Sequence, residues 1–226
     1  MTRHQIFITG STGLMGSHLI PRLLSQGHSV RALVRPGSES KLPSGCTAIP
    51  GNPLDSTSYA IQVPPADTFI HLIGVSHPSP AKAEQFRSID LKSVEEAAKA
   101  ATAARIQHFI YLSVAQPAPV MKAYIAVRSE GEALLRASGM NATFVRPWYV
   151  LGPGRRWPLI LKPIYWLFER IPSTRESAQR LGLVTIDQMV STLASSAQNP
   201  PQGIRIIETP QIRTGEAIST IPNQSP

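Results

Sequence analysis

Cysteine is almost missing: Cys46 is the single one in 226 residues, which excludes an intrachain disulfide framework and any metal centre built on thiolates. Acidic residues are scarce, 14 against 22 Lys and Arg, leaving a formal charge of +8 that suits phosphate-bearing ligands, nucleic acid or an anionic membrane face. Long apolar runs are absent. The nearest approach, WPLILKPIYWLF from Trp157 to Phe168, is broken by Lys162 and two prolines, so it is too short to span a bilayer but suited to lying on a surface. The start, MTRHQIFITG, enters a strand-like run with no apolar leader ahead of it, and with the lone cysteine this gives an expectation of a cytoplasmic protein. The sequence has no repeat of fixed period, no GxSxG, CxxC or HExxH, and its six histidines fall at no metal-ligand spacing, so no metal is expected. What is there is ample apolar material, 42% of residues, enough for one sizeable core in a chain of this length.

Periodicity along the chain alternates between strand and helix. Gln5–Thr9 reads as a β-rich run, Leu14–Gln26 as a helix closed by Gly27, and Ser29–Val34 as the next strand. Pro21 is a misfit inside that helix, expected to kink it unless the first turn starts late. Thr68–Ile73 and His108–Ser113 read as fully buried strands flanking an alanine-rich helix over Glu84–Ala104. Met121–Ser138 follows as a helix, Ala142–Arg146 as a strand, Thr185–Gln198 as a helix opened by Thr185 or Asp187, and Gly203–Ile207 as a last strand. This order predicts an α/β protein with a doubly wound parallel sheet, one domain over residues 1–226.

Between the first strand and helix lies Gly10-Ser11-Thr12-Gly13-Leu14-Met15-Gly16. Three glycines in a strand-to-helix turn leave bare backbone N–H groups at a helix N-terminus, an anion site suited to pyrophosphate. The segment TGSTGLMG resembles the TGxxGxxG turn of extended and atypical short-chain dehydrogenases/reductases, a group that includes NmrA-like regulators. Gly51–Asp55 (GNPLD) resembles that family's adenine loop, His71–Gly74 (HLIG) its strand end along the cofactor, Phe109–Ser113 the strand bearing its active-site serine, and Val145–Gly154 its RPxxxxGPG segment. The resemblance implies a Rossmann fold with a small C-terminal cap on the substrate side. It carries the cofactor role to Gly10, Ser11, Thr12, Gly13, Leu14, Met15, Gly16, Arg35, Asn52, Asp55, Leu72 and Gly74. Asn52 stands where relatives commonly have Asp, and an amide can still hydrogen-bond the adenine edge. The second strand ends Val34-Arg35 with no acidic residue, so Arg35 favours NADP(H), with NAD(H) as the alternative, while Arg31 reads as a solvated surface charge.

Tyr124 and Arg128, four apart on one helix face, occupy the family's YxxxK position. The resemblance implies Tyr124 as proton donor to a carbonyl, Arg128 as its electrostatic partner at the ribose, and Ser113 as an orienting hydroxyl. Arg128 replaces a compact ammonium with a planar fork, which also fits a non-catalytic cofactor holder. The competing bland readings are a packing tyrosine and a surface arginine. Residues 147–183 form the expected cap, in a stretch (146–180) with seven Lys or Arg against two Glu and all three tryptophans. Rings beside cations suit a membrane surface or protein groove, with 157–170 as the docking stretch, and no nucleic-acid motif accompanies them. Two functions follow. One is an oxidoreductase for a small carbonyl or quinone-like substrate. The other is a redox sensor or assembly factor, as with the nucleotide-binding accessory subunit of respiratory complex I.

Overall fold

The computed structural model describes residues 2–118, 120–152 and 182–215. Its strands are β1 (Gln5–Thr9), β2 (Ser29–Val34), β3 (Cys46–Pro50), β4 (Thr68–His71), β5 (His108–Leu112), β6 (Ala142–Arg146), β7 (Tyr149–Leu151), β8 (Leu183–Thr185) and β9 (Ile204–Glu208). Seven of them form one parallel sheet in the order β3-β2-β1-β4-β5-β6-β9, and β7 pairs with β8 separately. Strand order reverses between β1 and β4. In doubly wound sheets that switch point is where the chain parts to leave a crevice.

Along each central strand, side chains that point to opposite faces also differ in chemistry. Ile6, Ile8, Ile70, Ile110 and Val145 face one side, where α1 (Leu14–Ser25) and α5 (Ile186–Gln198) supply Leu19, Leu23, Met189 and Leu193. Phe7, Phe69, Phe109 and Phe144 face the other, against α3 (Lys92–Ala103) and α4 (Lys122–Ala137). The ring row is continuous: Phe7 to Phe69 is 5.2 Å between centroids and Phe69 to Phe109 is 5.1 Å. Small residues on α3, Ala97 and Ala101, let that helix approach so wide a surface. A period of two thus places aliphatics on one face and aromatics on the other, and both are dry.

The expected elements form, with informative differences at their ends. α1 continues through Pro21; the ring lies on the exposed face, so the Ser17 carbonyl left without its N–H partner faces water, and the expected break does not occur. β4 and β5 end at His71 and Leu112, two and one residues early, and after β4 the chain leaves the sheet to wall a cavity. The single helix expected over Glu84–Ala104 is α2 (Ala83–Gln85), a π-helical stretch Phe86–Leu91, and α3. Thr185, not Asp187, caps α5: its hydroxyl accepts from the Gln188 N–H at 3.2 Å while Gln188 Oε1 accepts from the Thr185 N–H at 2.8 Å. A short helix the periodicity did not announce, α6 (Thr209–Thr214), closes the described chain. Most of the cap, residues 153–181 with Trp157 and Trp166, lies outside the described residues, as does the whole of the 157–170 docking stretch.

Candidate cofactor site

The glycine turn is built by contacts that no side chain tolerates. Gly10 has φ +76°, and a Cβ there would sit 2.9 Å from the Leu72 carbonyl carbon; at Gly16 it would sit 2.4 Å from the Ser11 carbonyl oxygen. The Gly13 N–H donates to the Gly10 carbonyl at 3.1 Å, closing the turn onto α1. Buried Ser11 donates to the Leu33 carbonyl at 2.6 Å, tying the turn to the end of β2. These bonds leave a cavity of about 390 Å³ beside the turn, at the switch point, lined by Gly10, Ser11, Thr12, Arg35, Asn52 and Gly74, with Leu33, Val34, Pro53, Leu54, Ile73 and Ile89 completing its walls.

The expected cofactor residues therefore divide into groups. Gly10, Ser11, Thr12, Arg35, Asn52 and Gly74 line the cavity. Gly13 and Gly16 shape the turn, Leu14 and Met15 pack into the aliphatic core, and Leu72 lies with its backbone against Gly10. Asp55 does not line the cavity; its carboxylate accepts from the Thr57 N–H at 3.1 Å and the Thr57 hydroxyl at 2.6 Å, shaping the loop instead. Arg35 is exposed at the cavity edge. Arg31, expected to be solvated, is half-buried and donates to the Gln62 carbonyl at 3.1 Å.

Arg128 departs most from its expected setting. It is 2% exposed, with Nη2 donating to Asp90 Oδ1 at 2.6 Å and the Ile73 carbonyl at 3.1 Å, and Nη1 donating to the Leu112 carbonyl at 2.9 Å. It lies behind the cavity wall, not on its surface, so the reading of a surface charge fails. Burial pushes the Asp90 carboxyl up, against the pull of Arg128 and of the Val75 N–H. Half-buried Tyr124 packs at a tilt against Phe86, 5.0 Å between ring centroids, and its ring centre is 5.2 Å from the Arg128 guanidinium carbon. Ser113 is buried and gives its proton to Glu132 Oε1 at 2.6 Å. Glu132 also accepts from Arg146 at 2.9 and 2.5 Å, and Arg146 reaches Glu208 at 2.9 Å, so one network joins the carboxyl ends of β5, β6 and β9.

His71 is fully buried between Thr9 Oγ1 at 2.8 Å and Ser93 Oγ at 3.2 Å. Ser93 gives its own proton to the Asp90 carbonyl, so His71 Nε2 carries the proton and Nδ1 accepts from Thr9. Desolvation drives this imidazole down to about 3, leaving it no acid–base role near neutrality. Among the described residues no group of three His, Cys, Asp or Glu side chains is arranged to hold a metal, and no helix is long and apolar enough to cross a membrane. Asp90 and Ile89 had no signal in the sequence, since a π-helical turn in a helix of ordinary composition brings Ile89 to the cavity wall and buries Asp90 behind it.

Residues 10–156 match the model of a family described as NAD(P)H-binding. A curated relative, the ceramide reductase of Caulobacter vibrioides, is 27% identical over 210 residues, covering 89% of this chain; the chain spans 63% of that relative's length. Among solved structures, the enzyme WbmH of Bordetella bronchiseptica in complex with NAD⁺ superposes with a TM-score of 0.68 at 19% identity, covering 91% of this chain and 75% of WbmH. A short-chain dehydrogenase/reductase superfamily protein of Agrobacterium tumefaciens with bound NAD gives 0.66 at 16% identity, covering 91% and 77%. The glycine cradle, the parallel sheet and these likenesses agree, and the chain belongs to the NAD(P)H-binding family, with the Rossmann fold of the short-chain dehydrogenases/reductases.

Proposed function

We propose that this chain is an NADP(H)-dependent oxidoreductase acting on the carbonyl of an amphiphilic or quinone-like substrate. The observation that carries the cofactor choice is Arg35, exposed at the edge of the cavity that Gly10, Ser11 and Thr12 bound, with no carboxylate at the end of β2. A guanidinium there forks onto a ribose 2′-phosphate, and the turn's N–H groups meet the pyrophosphate. When bound, the nicotinamide supplies the hydride. Tyr124 supplies the proton that turns the carbonyl into an alcohol, its ring centre 5.2 Å from the Arg128 guanidinium carbon. Ser113, its proton committed to Glu132, takes part as an acceptor. The lipid character of the substrate is supported by the name of the ceramide reductase relative and by the tryptophan-rich basic stretch 157–170.

The burial of Arg128 favours a second reading, a cofactor-holding sensor or assembly factor at a membrane surface or protein partner, since a sealed guanidinium makes no direct contact with ribose. Single-turnover oxidation of bound NADPH by a panel of aldehydes, ketones, quinones and long-chain keto-lipids separates the two. Oxidation by one substrate class, lost in Tyr124→Phe with NADPH affinity kept, supports the enzyme. Tight binding without oxidation, together with liposome association that depends on the aromatics of 157–170, supports the holder.

A further inference from the structure

After β4 the backbone leaves the sheet as Ile73-Gly74-Val75, and Ile73 and Gly74 form one wall of the cavity. Leaving a sheet strands polar groups that must be paired again. Here the Ile73 carbonyl accepts from Arg128 Nη2 at 3.1 Å, and the Val75 N–H donates to Asp90 Oδ2 at 2.9 Å. The two side chains close on each other through Nη2 and Oδ1 at 2.6 Å, so the loop is gripped on both sides of Gly74. The other arm, Nη1, holds the end of β5 through the Leu112 carbonyl. Side-chain exposure is 3% for Arg128 and 0% for Asp90. Asp90 comes from the π-helical stretch whose preceding residue, Ile89, is also a cavity wall.

Gly74 records the same arrangement. A Cβ there would lie 2.2 Å from Arg128 Nη2, while its backbone is outside the left-handed region, so the guanidinium and not the dihedral angle requires glycine. A lysine ammonium is a single point and cannot bond two strand ends and a carboxylate in one plane as a fork does.

We infer that Arg128 and Asp90 are positioning residues that form a buried clasp setting the Ile73–Val75 wall against the dinucleotide, and that Gly74 is the space the clasp needs. The inference rests on the reading of the cavity as the nicotinamide cofactor site. Binding of NADPH and NADH, followed by cofactor fluorescence, and thermal unfolding without cofactor are measured for the full chain and for Gly74→Ala, Arg128→Lys, Asp90→Asn and Gly74→Ala/Arg128→Lys. Each single variant weakens binding by about tenfold or more, the scale of one lost charge-assisted bond. The double variant binds as Arg128→Lys does, because the added methyl no longer meets Nη2. That suppression is the signature, since two unrelated structural defects add.

Additive losses in the double variant, or single variants that fold and bind as the parent does, overturn the clasp. If Arg128→Lys fails to fold, Gly74→Ala and Asp90→Asn decide: parental affinity in both overturns it. A parent chain that binds neither NADPH nor NADH overturns the reading of the cavity itself, and with it the clasp's role toward a cofactor.

Discussion

At the scale of single residues, the cradle depends on absent atoms and the cofactor choice on one charged side chain. Gly16→Ala drives a methyl toward the Ser11 carbonyl oxygen, which as backbone cannot turn aside. The expected cost is about 1–3 kcal/mol of stability, as for other overpacked sites, with a fall in NADPH affinity of about tenfold or more. Denaturant unfolding and cofactor titration measure both, and a variant that binds as the parent does removes the turn from the site. Arg35→Ala tests the other feature. It is expected to weaken NADPH by about 1.5–3 kcal/mol, the range for a hydrogen bond to a charged group, while NADH changes little. Equal loss for both dinucleotides would leave Arg35 without a 2′-phosphate to recognise. The sequence made both positions legible, because a strand-turn-helix pattern around three glycines and a strand end without an acid are local signals.

Elements are joined here by caps and by ion pairs at the strand ends. Removing the Thr185 hydroxyl breaks the capping box that starts α5, the helix carrying much of the aliphatic core. Thr185→Ala is expected to cost about 1 kcal/mol, seen as a lower urea midpoint with an unchanged slope. Glu132 is a heavier case. It is 3% exposed and collects Arg146, Ser113 and Gln116, so Glu132→Ala leaves Arg146 partly unpaired and Ser113 without its acceptor. A loss of about 3–5 kcal/mol is expected, as for other buried pairs deprived of one partner, whereas a change within 1 kcal/mol would mean the network is replaceable. Local composition narrowed the start of α5 to Thr185 or Asp187, and the fold settled it on Thr185. Glu132 carried no such mark, because its partners Ser113 and Arg146 lie outside its own helix, at the ends of β5 and β6, 19 and 14 residues away along the chain.

Across the whole molecule, the sheet buries more imidazole than its chemistry uses. His71 and His108 are driven down to about 3 by desolvation, and His28, whose Nδ1 accepts the His4 N–H at 3.1 Å, is lowered for the same first reason. Folding therefore holds these rings neutral, while the unfolded chain protonates them at the ordinary value near 6.5. The stability they permit is complete above that value and is lost as pH falls toward the folded values, at about 1.4 kcal/mol per pH unit for each ring inside the window. Urea midpoints are expected to be flat above pH 7 and to fall steadily from pH 6 to pH 4.5; a constant midpoint over that range would show that the rings are not held neutral. The sequence alone determined the fold class, the order of six sheet strands and their main helices, and the phosphate cradle, but not β3, β7, β8 or α6, since periodicity of two and 3.6 and a run of glycines are read over a dozen residues. Tertiary structure decided what Arg128 does. From its spacing it belongs beside Tyr124 on one helix face; in the fold it is enclosed by Asp90, Ile73 and Leu112 from three other segments, and only their convergence turns a surface-like cation into a buried brace behind the cofactor wall.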